Sequence, residues 1–356
     1  MTRKGTGRRH PPLGVAVVGC GRWGSNHARV AAGAAGVRFV GMVEPDPALR
    51  RQAERLYGVA GWSGLEQALG DRRVEAVVIA TPAVTHQELV LQALRAGRHV
   101  LVEKPAAMGV DAAAQMVRTS AEAGVQLSAG HTFLYARPVR DIAAWLGASA
   151  PSRPWLVRSE RLGGRRRSDC GVLWNFGPHD VSILLHLLGE PVLEVAARGH
   201  RFPQGGHLDM VTLDLGFASG TRGEVYLGWR HPGAKRSLRL LGEDWALRYR
   251  HGLNGRDVLA LTGRDGGPLT DSPMTSGRPG GEGGALDAYA EPLGIQLGEF
   301  ALACRTGVPT MTGPDHLLAV TAVLEAAQHS AALGGLPYRI SPAISATTPV
   351  RTGPGS

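Results

Sequence analysis

Cysteine is scarce: Cys20, Cys170 and Cys304 are the three in 356 residues, and their spacing is not that of a metal site. This excludes a disulfide-stapled scaffold and a cysteine metal centre, and it fits a reducing compartment. No apolar run reaches the ~18 residues a membrane helix needs, so no membrane partner is expected. The basic opening, Thr2–Pro12, leads directly into a strand-like run. An apolar stretch with a small-residue cleavage site is missing there, and a cytoplasmic protein is expected. No internal repeat is present. Lysine is rarer still in relative terms. Of 39 basic residues only Lys4, Lys104 and Lys235 are lysine; the others are arginine. Arginine cannot lose a proton near neutral pH, whereas lysine shifts readily. In such a chain a retained lysine marks a place where arginine cannot serve, and Lys104 stands where the pattern below ends a strand.

The net charge is +9. It suggests a polyanion partner, but much of the excess sits in Arg3, Lys4, Arg8 and Arg9 and in one loop, Arg165–Arg167. Neither is a basic stripe interleaved with aromatic residues, so no nucleic-acid partner is expected. Attraction of small anions is the reading that remains.

The chain is long enough for about two domains. The first is organised by Leu13–Ala28. A buried-strand pattern, Val15–Val18, breaks into Gly19-Cys20-Gly21-Arg22-Trp23-Gly24. In this G-x-G-x-x-G pattern Gly19 permits the tight turn. Gly21 lets a pyrophosphate approach the backbone, and Gly24 lets the next helix pack against the strand. The helix then presents its N–H groups and dipole to the phosphates. A second strand, Val37–Val43, ends in Glu44, twenty residues beyond Gly24. That is the place for an acid that accepts ribose hydroxyls. Together these features predict a dinucleotide-binding domain.

Strands and helices alternate to about residue 132. Asp46 caps a helix over Pro47–Tyr57, and Ser63 caps a short one through Leu69. Val74–Ala80 is an apolar strand, followed by Thr81-Pro82 and a helix containing His86 that Gly97 stops. His99–Val102 is a strand ending in Glu103-Lys104-Pro105, and Val125–Ala129 is another. Such alternation predicts a parallel sheet with helices on both faces and a ligand crevice at the carboxyl ends of the strands. Beyond 132 the rhythm changes to strand-like runs around one long helix, Val172–Leu188, which predicts a second domain with a mainly antiparallel sheet. The expected division is a disordered tail (1–12), a dinucleotide-binding domain (13–132), a second α/β domain (133–340) and a loose tail (341–356). A mobile loop is expected over 263–284, and helices over Ala288–Thr306 and Asp315–Leu333.

Asn175 and His179 lie four apart and share a face of the long helix; Asp180 points about a quarter-turn away. A lysine and a histidine converging on one crevice can move a proton while a nicotinamide moves a hydride. The sequence resembles the Gfo/Idh/MocA oxidoreductases, named for glucose–fructose oxidoreductase, inositol dehydrogenase and a rhizopine-catabolism protein. The resemblance runs over Leu13–Ile340. It is carried by VAVVGCGRWG, the acid in Val43-Glu44-Pro45-Asp46, Ala80-Thr81-Pro82 with His86, HVLVEKP, GHTFLYARP, GVLWNFGPHDVSILLHLLGEP and EAAQHSAALGGLPYRI. It implies a Rossmann domain, doubly wound, followed by an α/β domain with an open, mainly antiparallel sheet through which subunits associate as homo-oligomers.

For the chemistry, the resemblance implies that Lys104 orients the reacting carbinol and His179 takes the hydroxyl proton. Where such a family has aspartate, this chain has Asn175, which can hold a hydroxyl but not a proton. The cofactor residues implied are Gly19, Gly21, Arg22, Trp23, Gly24, Glu44, Thr81, Pro82, His86, Glu103 and Lys104. Those toward substrate are His131, Tyr135, Asn175 and His179; in addition the basic loop with Arg165, just before the long helix, could meet a diphosphate. Glu44 would repel a 2′-phosphate, and neither Pro45 nor Asp46 would hold one, so NAD is favoured over NADP. No metal is expected. The expected activity is NAD-dependent oxidation of a secondary hydroxyl of a sugar, nucleotide sugar or aminocyclitol to a ketone. The alternatives are a keto-sugar reductase running the reverse reaction, a non-catalytic dinucleotide or sugar sensor, and glycosidic cleavage through transient oxidation.

Overall fold

A computed structural model describes residues 10–167, 169–202, 206–250, 258–267 and 291–341. The expectations for residues 1–9, for most of the 263–284 loop, for the helix start at 288–290 and for the tail from 342 lie outside the described residues.

Small and β-branched residues make the first sheet. In β1 (Leu13–Val18) all six residues are buried, as expected for a central parallel strand covered on both faces. The Gly-rich turn and α1 (Arg22–Gly33) follow, then β2 (Val37–Val43) and α2 (Pro47–Tyr57). Asp46 caps α2 by accepting from Ala48 N–H (2.7 Å) and Leu49 N–H (3.1 Å), and Gly58, at φ +64°, ends it. A short β3 (Ala60–Trp62) and α3 (Leu65–Gly70) lead to β4 (Ala76–Ile79), α4 (His86–Arg95), β5 (His99–Val102), α5 (Val110–Glu122) and β6 (Leu127–Ala129). The strand order is β3-β2-β1-β4-β5-β6, and β1 pairs in parallel with both β2 and β4. This is the doubly wound order, with its reversal between β1 and β4, beside the glycine turn.

The second sheet is mixed. After α6 (Arg137–Ala148) come β7 (Leu156–Leu162), α7 (Val172–Leu188), β8 (Val192–His200), β9 (Met210–Phe217), β10 (Arg222–Gly228), β11 (Lys235–Leu241), β12 (Trp245–Arg250) and β13 (Val258–Gly263). Then follow α8 (Pro292–Thr306), α9 (Pro314–Ala332) and β14 (Tyr338–Arg339). The order is β13-β12-β11-β7-β10-β9-β8-β14. β7 and β10 run parallel, whereas β10–β9, β11–β7, β11–β12, β12–β13, β8–β9 and β14–β8 are antiparallel. Helix α7 is buried nearly all round, so it forms the centre of this core rather than its surface. Val181, Leu184 and Leu188 join Val195, Leu213 and Leu227 of the sheet and Val320, Val323 and Leu324 of α9.

The chain folds into two compact units that are not contiguous in sequence. The first holds the chain through Glu103, Met116–Ser128 and Leu293–Gly313; the second holds Lys104–Gln115, Ala129–Pro292 and the chain from Pro314. A single division after residue 132 does not describe these units. Leu293, Leu297, Phe300 and Ala301 of α8 fill the first core beside Val15, Val17, Met42 and Val78. Arg305 fixes the end of that helix with ion-pair distances of 2.6 and 2.9 Å to Glu75. Apolar periodicity shows that α8 is a helix with something to bury, but not which core receives it.

Candidate active site

In the first unit the backbone builds the site. Gly19 adopts φ +98°, and a Cβ there would stand 3.0 Å from the Ala80 carbonyl at the end of β4. A Cβ on Gly24 would stand 1.8 Å from the Gly19 carbonyl, so this contact of α1 with the turn requires glycine. A Cβ on Gly21 would meet nothing within 4 Å: the space in front of α1 is open. Gly21 is also the N-cap of α1 and gives it no side-chain cap. The first-turn N–H groups, from Arg22 and Trp23 onward, therefore lack intrahelical partners and face that space. These features fit a pyrophosphate.

Glu44 stands at the end of β2. Its Oε2 accepts from Cys20 N–H at 2.8 Å and its Oε1 from Asp46 N–H at 3.1 Å. Both bonds orient the carboxylate, and each oxygen keeps a second lone pair for a ribose hydroxyl. Arg50, which the sequence reading passed over, donates to the carbonyls of Glu44 (2.7 Å) and Pro45 (3.1 Å). Its charge therefore serves the shape of the Glu44 turn.

The other cofactor candidates of this unit are structural supports in part. His86 is buried, and its Nε2 lies 3.0 Å from the Thr81 carbonyl, holding the turn that presents Thr81 and Pro82. Glu103 is buried, with Oε1 2.8 Å from Nε2 of His27 on α1.

In the second unit side chains build the site. Lys104 Nζ donates to the Asn175 carbonyl at 3.0 Å and to the Asn175 amide oxygen at 3.1 Å. Asparagine here holds the ammonium group with neutral oxygens. His179 follows one turn later on α7, packed edge-on against Phe133 at 4.8 Å. Its Nδ1 is buried without a hydrogen-bond partner, which leaves Nε2 as the nitrogen able to meet a substrate. Burial first, then the charges of Lys104, Arg161, His131 and Arg236, hold the His179 pKa well below the ordinary imidazole value. The ring is therefore neutral at physiological pH and has a lone pair to accept a proton.

Asp180 takes no place in this arrangement. It is buried, accepting from Ser159 Oγ and Arg161 Nε, each at 2.5 Å, and ties α7 to β7. His131 is buried against His316, with ring centroids 5.2 Å apart, and acts on His179 electrostatically. Tyr135, expected at the substrate, has no exposed surface. Arg165 is exposed on its loop, while its neighbours Arg166 and Arg167 are engaged by Asp209 (3.2 Å) and Asp169 (2.6 Å). Sequence reasoning missed Arg161, Arg236 and Phe133. One signal existed: Ser159 and Arg161 alternate with Val157 on the inward face of β7, where polar residues need partners. Among the described residues no group of three or more His, Cys, Asp or Glu could hold a metal, and no helix is long and apolar enough to cross a membrane.

A glycine turn that fits a phosphate, an acid able to accept ribose hydroxyls, and a neutral imidazole and a lysine in the second unit are the parts a dinucleotide-dependent oxidoreductase needs. Comparison with known proteins gives the same class. Residues 13–131 match a family model described as the oxidoreductase family with an NAD-binding Rossmann fold. Residues 138–248 match the Gfo/Idh/MocA C-terminal domain. The chain belongs to the Gfo/Idh/MocA oxidoreductase family. It is 27% identical over 60% of its length to 1,5-anhydro-D-fructose reductase of Ensifer adhaerens, covering 68% of that protein. It is 26% identical over 59% of its length to scyllo-inositol 2-dehydrogenase (NAD(+)) of Bacillus subtilis (strain 168), covering 65% of it. Among solved structures it is similar to GenD2 from gentamicin A biosynthesis, in complex with NAD. The TM-score is 0.77 and the identity 26%, over 96% of this chain and 99% of that one.

Proposed function

We propose that this protein is an NAD-dependent dehydrogenase that oxidises a secondary hydroxyl of a sugar, nucleotide sugar or aminocyclitol to a ketone. The observation that carries this reading is the trio Lys104, Asn175 and His179, two hydrogen bonds and one helical turn in extent. NAD, when bound, supplies the hydride acceptor. Gly19–Gly24 and Glu44 would hold it, and the fixed negative charge of Glu44 favours an unmodified ribose over a 2′-phosphate. Lys104, positioned by both oxygens of Asn175, donates a hydrogen bond to the carbinol oxygen. It stabilises the negative charge that develops there as the O–H proton leaves. His179 Nε2 accepts the hydroxyl proton. The depressed pKa keeps the base form available, which supports oxidation over the reverse reduction near neutral pH. Asn175 is the positioning residue for Lys104 and does not relay protons.

Relatives named for an anhydro-sugar and an inositol support a polyhydroxylated substrate class. We place self-association on the outward face of the second sheet. There Arg222 pairs with Asp214 at 2.8 Å, and Arg158 pairs with Glu224.

The test is a panel of sugars, nucleotide sugars and aminocyclitols with NAD and with NADP, read by formation of reduced cofactor. A dehydrogenase accumulates NADH in proportion to substrate consumed, and Lys104→Ala abolishes it. Cofactor binding with no substrate-dependent reduction anywhere in the panel would support a sensor instead.

A further inference from the structure

Three cations of the second unit, Lys104, Arg161 and Arg236, act on His179. Arg161 is matched by Asp180, at 2.5 Å. Arg236 is not matched by any carboxylate among the described residues. Its guanidinium donates to three carbonyls: Leu162, Lys235 at 2.8 Å and Gly163 at 3.3 Å. It lies over the ring of Phe176, 5.1 Å from the centroid, one residue beyond Asn175 and three before His179. Asp180 acts on Arg236 electrostatically, but its two oxygens are held by Ser159 and Arg161.

Two of the five donors of Arg236 are unused. Both Nη1 protons and one Nη2 proton go to the carbonyls, which leaves Nε–H and the second Nη2–H without partners among the described residues. Arg236 is only partly buried. Burial and the neighbouring Arg161 push the pKa of Arg236 down to about 10, and it remains charged at neutral pH. The Nε/Nη2 edge of a guanidinium matches the two oxygens of a carboxylate or phosphate. An aromatic ring beneath and carbonyls behind hold the plane in one orientation.

We propose that Arg236 binds an oxyanion carried by the substrate, so that the substrates of this chain are acidic sugars (a glycuronate, a sugar phosphate or a nucleotide-linked sugar) rather than neutral or amino sugars. This rests on the dehydrogenase reading above and selects within its substrate class. It ascribes to Arg236 the role that the sequence alone suggested for Arg165.

The experiment uses full-length protein with NAD. Binding is measured by titration calorimetry for glucuronate, glucose 1-phosphate and UDP-glucose, and for the matched neutral and cationic probes glucose and glucosamine. Wild type is compared with Arg236→Gln and Arg236→Lys, each checked for an unchanged melting temperature. At least one acidic probe should bind about tenfold or more tightly than glucose, weakening as salt is raised. Arg236→Gln should abolish that ratio, and Arg236→Lys should retain part of it. The carboxylate, monophosphate and diphosphate arms identify which oxyanion the edge accepts. The proposal is overturned if glucose or glucosamine binds as tightly as every acidic probe. It is also overturned if no acidic probe binds, or if Arg236→Gln weakens acidic and neutral probes in the same proportion. Should Arg236→Gln fail to fold, the wild-type acid-over-neutral ratio and the Arg236→Lys data decide. NADH formation is followed in parallel. A preserved acid preference without NADH would sink the dehydrogenase reading and leave the anion site standing; NADH from neutral probes with no acid preference would do the converse.

Discussion

The two units build their proposed binding surfaces from different material. The first uses backbone: an open glycine position, an uncapped helix N-terminus and one carboxylate pinned by two N–H groups. The second uses charged and aromatic side chains set against the core: Lys104 on Asn175, Arg161 on Asp180, Arg236 over Phe176, His179 against Phe133. A backbone site tolerates most side-chain exchange but no Cβ at Gly19 or Gly24. A side-chain site tolerates backbone variety, but each charge in it depends on a partner far away in sequence.

The comparison breaks first at Lys104. Lys104→Ala should lower kcat by roughly 10²–10⁴-fold, the range for a lost positioned proton or hydrogen-bond donor. NAD affinity should stay within a few fold, because the cofactor residues of the first unit are untouched. Steady-state kinetics and calorimetry with NAD read the two separately. Near-wild-type turnover would remove Lys104 from the chemistry.

Asp180→Ala tests the second unit as a scaffold. It leaves the buried Arg161 without its carboxylate, a change that costs about 3–5 kcal/mol in such pairs. Denaturant titration should show that loss, with NAD affinity changed little. A cost below about 1 kcal/mol would mean that Arg161 finds water instead. Glu44→Ala is the milder counterpart in the first unit. It removes a charged acceptor from the ribose, worth about 1.5–3 kcal/mol. NAD binding should weaken about tenfold or more while NADP binding weakens less, and an unchanged preference would place cofactor selection elsewhere.

This difference in material also explains what could be read from the chain. The glycine turn, Glu44 and the doubly wound order were legible, since Gly19 and Gly24 are dictated by local close approaches that only glycine survives. Helix α7 was legible from Val172 to Leu188 because Gly171 and Gly189 bracket an apolar run. What lay hidden was tertiary. Arg161 and Asp180 are 19 residues apart and meet only once β7 lies against α7. Tyr135, which the resemblance put toward substrate, is fully buried on its short turn. Strand β14 is two residues long and exists through its pairing with β8, a length below any periodicity signal.

The smallest expected effect is a pH dependence carried by buried histidines of the second unit. His179 and His316 are held well below the ordinary imidazole pKa, chiefly by burial; His131 and His186 add their charges at His316. In the unfolded chain both take up a proton near pH ~6.5. Below that value the unfolded state binds more protons, so stability falls with falling pH, by up to about 1.4 kcal/mol per pH unit per histidine. The carboxylates of the first unit work in the same direction but lower on the scale. Asp71, drawn down to about 2 by Arg73, and Glu75, lowered by Arg305, lose their contribution only as pH passes below ~4. Melting temperatures from about pH 7 to 5 therefore isolate the histidines. His316→Gln should flatten the slope in that window by close to one proton and leave the acid limb unchanged. The same slope in both proteins would show that His316 carries its proton in the folded state, and that the core around α7 is wetter than its packing indicates.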